Sequence, residues 1–104
     1  MKIVIVGAGP GGLGAARHCQ AYFPSADLIV YERYSSSGGI WRGDHQSPVY
    51  RDLHTNLPME LMAFPDFPAD PSNVSFVHHS EVTKYLKLYA QHFNLIQVKS
   101  LFPN

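Results

Sequence analysis

The sequence predicts an α/β fold, a parallel sheet with flanking helices, on three observations. Lys2 to Val6 is a short β-branched apolar run, a glycine cluster follows it at once, and a helical pattern then leads to a second apolar run, Asp27 to Tyr31. Strand, turn, helix and strand in that order make the βαβ unit from which parallel sheets are built. At 104 residues and 11.6 kDa the chain is one small domain or a piece of one.

The first strand is continuously apolar, which predicts burial on both faces of a sheet. Gly7-Ala8-Gly9-Pro10-Gly11-Gly12 then reads G-x-G-x-x-G. Gly7 permits the tight turn, Gly9 lets backbone N–H groups approach a pyrophosphate, and Gly12 lets helix and strand pack closely. Gly12, Ala16, Cys19 and Phe23 recur on one helical face until Pro24 stops the helix, whose N-terminus faces the phosphates. Glu32 closes the second strand twenty residues after Gly12, where a carboxylate accepts from two ribose hydroxyls and repels a 2′-phosphate. Arg33 beside it is expected to face outward or lie over the adenine, the alternative being a contact that favours NADP at this site. A glycine turn that merely packs leaves Glu32 without a role.

Five residues separate Glu32 from Gly38-Gly39-Ile40-Trp41, a pattern that a plain NAD site does not need. The second glycine pair allows another close backbone approach to an extended cofactor such as FAD, and Ile40 and Trp41 offer flat apolar surface beside it. Trp41 serves core packing equally well.

Pro48, Pro58, Pro65, Pro68 and Pro71 make the middle of the chain an ordered loop. From Ser80 to Asn94 a helix is expected, with Val82, Tyr85, Leu86, Tyr89 and Phe93 on one apolar face, Ser80 as N-cap and Asn94 as a left-handed stop. That face belongs to the core. A partial third parallel strand is expected after Leu95. His78 and His79 are expected to point apart on an extended segment without a cysteine or carboxylate at ligand spacing, so no metal is predicted. His18, His45, His54 and His92 are scattered. Cys19 has no partner for an internal disulfide and reads as a small buried apolar residue in a reducing compartment.

Eight basic and eight acidic residues cancel, so neither nucleic acid nor an anionic membrane is predicted as a partner. No run approaches the roughly 18 apolar residues of a membrane span. The expected partner is a small molecule and the expected location cytoplasmic.

Three blocks, GAGPGGLGAA, YERYSSSGGIWR and VYRDLHTNLPMELMAFPDFP at 49–68, carry a resemblance. In them the chain resembles the N-terminal part of the flavin-containing monooxygenases, the dimethylaniline monooxygenase type. Thr55, Asn56, Met62, Phe64, Asp66, Phe67 and Pro68 match the family's Thr-Asn or Ser-Asn pair and the Met-x-Phe-x-Asp-Phe-Pro run after it. SEVTKYLKLYAQHFNL at 80–95 resembles the family's next helix, so the likeness spans residues 2–95. There is no C-x-x-x-x-C of a disulfide reductase, and Gly-Gly-Ile-Trp stands where amine oxidases have Gly-Gly-Arg.

The resemblance implies a partial Rossmann-like domain of the glutathione-reductase type over residues 1–104. FAD would be held by Gly7, Ala8, Gly9, Pro10, Gly11 and Gly12, by Glu32, by Gly39, Ile40 and Trp41, and by Thr55 and Asn56. Family members reduce the flavin with NADPH and pass one atom of molecular oxygen, through a C4a-hydroperoxyflavin, to a soft nitrogen or sulfur nucleophile. Asn56 is the implied catalytic residue, its amide donating to the peroxy group or the nicotinamide and accepting in return. Read without the resemblance, an Asn before Leu-Pro is a turn former.

Complete members are several times longer and carry a second G-x-G-x-x-G in an NADPH-binding domain. These 104 residues lack it, and IQVKSLFPN keeps the family's spacing poorly, so the chain is expected to be truncated and inactive alone. The alternatives are an inert FAD-binding remnant and a fragment of a Baeyer–Villiger-type monooxygenase. Endoplasmic reticulum association of the complete protein stays open. Two strands and a partial third leave sheet edges unpaired, so marginal stability or aggregation is expected of the chain by itself.

Overall fold

The computed structural model describes residues 1–71, 75–95 and 98–100. Strand β1 (Lys2–Val6) leads through the glycine turn into helix α1 (Pro10–Tyr22), which returns to strand β2 (Asp27–Glu32). A 3-10 turn (Gly39–Trp41), a single-turn helix α2 (Met59–Met62) and helix α3 (His79–His92) precede strand β3 (Val98–Ser100). The three strands pair in parallel, in the order β1-β2-β3, with Lys2 opposite Asp27, Val6 opposite Tyr31 and Val30 opposite Val98. The parallel sheet with flanking helices is therefore present. The rest of the stretch after Leu95 lies outside the described residues.

Helix α1 begins at Pro10, a residue that fits the first helical position because its missing N–H would have no intrahelical acceptor there. Its inner face differs from the expected one. Leu13 and Ala16 are fully buried, Cys19 is half-buried, and Phe23 is 49% exposed at the helix C-cap. The short α1 simply ends before Phe23 can turn inward.

Helix α3 buries Val82, Tyr85, Leu86 and Tyr89, as its apolar spacing predicts, and also Ala90. Asn94 ends it in the left-handed conformation, φ +57°. The N-cap is His78 rather than Ser80: the His78 ring accepts from the Ser80 N–H at 3.2 Å. His78 and His79 do not point apart, because the helix begins at His79 and turns both rings to the carbonyl of Arg51, at 2.7 and 2.9 Å.

The core lies between α1, α3 and the segment from Met59 to Phe67. Phe64 stacks on Tyr89 with ring centroids 4.3 Å apart and packs on Gly14, where an added methyl would come within 3.0 Å of its ring. The Tyr85 hydroxyl accepts from the Phe64 N–H at 2.7 Å and donates to the Phe67 carbonyl at 2.5 Å, so α3 grips both ends of that turn. Burial raises the Tyr85 hydroxyl above its ordinary pKa and pushes that of Tyr89 up to about 12, with the nearby Asp66 charge adding to both.

Strand β1 is not buried on both faces. Ile3 and Ile5 turn toward the helical layer, whereas Val4 and Val6 are 50% and 71% exposed. Helices cover only one face of the described sheet.

Candidate functional site

The glycine turn sits at the carboxyl ends of β1 and β2. Gly7 has φ +100°, a conformation that L side chains rarely adopt, and its N–H donates to the Tyr31 carbonyl at 2.7 Å. Gly12 is required for space: a Cβ there would lie 1.8 Å from the Gly7 carbonyl oxygen. These are the roles that the spacing assigns to the two residues. Gly9 differs, because its missing side chain faces the backbone of Gly39 at 3.5 Å, an ordinary contact distance. An added methyl at Gly11 meets nothing within 4 Å.

The second glycine pair packs against the first turn. Gly38 and Gly39 both have positive φ, and the Gly38 N–H donates to the Ala8 carbonyl at 2.8 Å. Glu32 closes the other side. Its carboxylate, in a residue 6% exposed, accepts from the Ala8 N–H at 2.9 Å through Oε1 and from the Tyr34 N–H at 2.7 Å through Oε2. A carboxylate has about four acceptor positions, so two backbone bonds leave capacity for hydroxyl donors.

Sequence reasoning missed Arg42. Its side chain is only 4% exposed; Nε donates to Asp44 Oδ2 at 2.6 Å, Nη1 donates to the Gly39 carbonyl at 2.9 Å, and the guanidinium lies 3.6 Å over the Tyr34 ring. Burial works to raise the Asp44 carboxyl, but the Arg42 hydrogen bond and charge and the Gln46 N–H outweigh it and hold the pKa below the usual carboxylate value. The only sequence signal was an Arg-x-Asp spacing directly after Trp41.

Ile40 is 51% exposed and Trp41 half-buried. The Trp41 carbonyl accepts from Thr83 Oγ1 at 2.5 Å, which ties the 3-10 turn to α3. Trp41 helps line an apolar cavity of about 250 Å³ shared with Pro10, Gly11, Met59, Met62 and Leu86. This cavity therefore opens between the start of α1 and the α2 segment.

Thr55 and Asn56 separate in role. Thr55 is buried; its N–H donates to the Val77 carbonyl at 2.9 Å and its Oγ1 accepts from the Val77 N–H at 3.2 Å. Asn56 next to it is exposed. Thr55 thus anchors the segment that presents Asn56, and the Met59 N–H bonded to the Ser75 carbonyl at 2.7 Å anchors its far end. No group of three metal-ligating side chains is assembled among the described residues.

The site fits a dinucleotide on its own geometry. No acidic side chain stands in the first turn of α1, where N–H groups without intrahelical acceptors favour an anion. A Cβ at Gly7 or Gly12 is excluded by backbone or space, and a buried carboxylate with spare acceptor capacity stands beside the turn.

The family profile described as FMO-like, flavin-binding monooxygenase-like, matches residues 1–101. The chain belongs to this family. Its members are enzymes that use FAD. Over 101 residues the chain is 34% identical to a human protein named putative dimethylaniline monooxygenase [N-oxide-forming] 6, covering 92% of this chain and 18% of that one. The fold matches S-allyl-L-cysteine S-oxygenase from Allium sativum with a TM-score of 0.79 and 30% identity, over 95% of this chain and 27% of that one. Cyclohexanone monooxygenase matches with a TM-score of 0.74 at 21% identity, a likeness of fold, over 93% of this chain and 18% of that one. The chain thus spans about a fifth to a quarter of the length of these flavin monooxygenases. Among the described residues no helix is long and apolar enough to cross a membrane.

Proposed function

We propose that this chain is the FAD-binding part of an NADPH-dependent flavin monooxygenase that oxygenates soft nitrogen or sulfur nucleophiles. The observation that carries the FAD site is the pair of interlocked glycine turns with the Glu32 carboxylate bonded to the first of them at Ala8. Names of relatives at 30% identity or more support the nitrogen and sulfur chemistry: one is N-oxide-forming and one is an S-oxygenase. The Baeyer–Villiger likeness rests on fold similarity alone. NADPH binding belongs, in this reading, to a separate domain that these 104 residues do not contain, and the partners of the complete enzyme are a small nucleophile and molecular oxygen.

Bound FAD would supply the oxygen-activating chemistry. The residues of this chain do the rest. The Gly7–Gly12 turn, Ala8 and Pro10 included, and the start of α1 hold the pyrophosphate, and Glu32 accepts from the ribose hydroxyls while repelling a 2′-phosphate. Gly39 brings the second turn close, and Ile40 and Trp41 give the cofactor an apolar wall that excludes water. Thr55 fixes the segment bearing Asn56, whose exposed amide would donate a hydrogen bond to the bound cofactor without a proton to lose.

Gly9→Ala is the cleanest test, because Gly9 is the residue assigned the close approach to the pyrophosphate and its methyl makes only an ordinary 3.5 Å contact with the protein, at Gly39. Chain mixed with FAD and passed through gel filtration should retain stoichiometric flavin. Gly9→Ala should lose it with an unchanged circular dichroism spectrum. A folded wild-type chain that emerges without flavin would overturn the site assignment. With FAD added, the chain alone should oxidise NADPH no faster than free FAD.

A further inference from the structure

We infer that Arg42 is a positioning residue that sets the spacing of the two glycine turns before any cofactor binds. The inference rests on the reading of these turns as an FAD site. A buried guanidinium is costly unless its donors and charge are met, and here each contact falls on a part of the cradle or its support. One arm is the Nη1 bond to the Gly39 carbonyl. Gly39 in turn is pressed on Gly9, to the point that a Cβ at Gly39 would sit 3.1 Å from the Gly9 α-carbon. The other arm is the stack on Tyr34, whose N–H is held by Glu32 Oε2.

Both arms end on Ala8. Its N–H is held by Glu32 Oε1 and its carbonyl by the Gly38 N–H, and the residue is completely buried. Arg42 touches the Gly38-Gly39 arm and the Tyr34 arm alike and so closes the ring. Asp44 holds Nε and fixes the plane of the guanidinium, which makes the Arg42 fork a rigid spacer. With its side chain 4% exposed, Arg42 is too enclosed to serve as a ligand contact itself. A lysine keeps the charge but neither the planar stack nor the two-point fork.

The test is amide hydrogen exchange on the wild-type chain, Arg42→Ala, Arg42→Lys and Tyr34→Leu, together with their affinities for FAD and ADP. Loss of the lock should reduce protection at the Ala8 and Gly38 amides about tenfold, with the α3 amides around Tyr89 unchanged. FAD and ADP affinities should fall by a common factor of about ten or more, because both ligands use the pyrophosphate and ribose part of the cradle. Arg42→Lys should lie between Arg42→Ala and wild type. Uniform loss of protection along the chain, or Ala8 and Gly38 as protected as in wild type, would overturn the inference. If Arg42→Ala does not fold, Arg42→Lys and Tyr34→Leu carry the same two outcomes. A wild-type chain that binds neither ligand defeats the FAD reading, while hydrogen exchange still decides whether Arg42 holds the turns together.

Discussion

A missing methyl group has four different meanings within residues 7–12. At Gly7 it permits a positive φ, at Gly12 it makes room for a carbonyl at 1.8 Å, at Gly9 it faces a second glycine, and at Gly11 it faces nothing. Gly12→Ala must therefore move backbone, and we expect it to cost about 3 kcal/mol or more, read as a lowered urea midpoint. Gly9→Ala should leave stability within about 0.5 kcal/mol, since its methyl makes an ordinary contact. Equal losses in the two variants would contradict this account. Asp44 gives the acid side of the stability profile. Its pKa is depressed in the folded chain, so its contribution is present above about pH 4 and is lost as pH falls through the lower folded value. Asp44→Asn should lower the urea midpoint at neutral pH, and the gap to wild type should close on acidification. The glycines and Glu32 were legible in sequence because their spacing is fixed by backbone geometry. Arg42 was not, because an arginine in a loop reads as solvated until Tyr34 and Gly39 fold around it.

Periodicity made the long elements legible and left the short ones unread. Helix α3 declared its buried face through Val82, Tyr85, Leu86 and Tyr89. The one-turn helix α2 did not, since four residues are too few for a helical period, and its form depends on tertiary bonds from Met59 to Ser75 and from Tyr85 to Phe64. The helix start was misjudged for a related reason: a histidine ring took the capping position usually held by a hydroxyl or carboxylate. Tyr85 is the joint between α3 and the cavity-lining segment. Tyr85→Phe keeps the ring and removes both the acceptor for Phe64 and the donor to Phe67, so we expect a loss of about 1–3 kcal/mol. For a chain of this size each kcal/mol lowers the melting temperature by about 4–8 °C, which differential scanning calorimetry resolves. An unchanged melting temperature would mean that water replaces both bonds without loss.

Among the described residues the sheet has one covered face and one open face. Ile5 and Val30 belong to the core layer, while Val4 and Val6 stand on the other side of β1 at 50% and 71% exposure. In the described sheet β1 has a single paired neighbour, β2, so an apolar face and a free strand edge coincide on one element. The continuous apolar run of β1 was legible in sequence, but what covers each face depends on packing that the run does not encode. An exposed apolar edge strand recruits further strands through its backbone groups, and a lysine there blocks the approach at little cost to the fold. The chain in isolation should therefore self-associate, its weight-average mass in sedimentation equilibrium rising with concentration. Val6→Lys should suppress that rise and leave the circular dichroism spectrum unchanged, because the side chain already lies in solvent. A wild-type chain that stays monomeric across the concentration range, or a Val6→Lys chain that associates as strongly, would move the cause of any instability from this face to the core between α1 and α3.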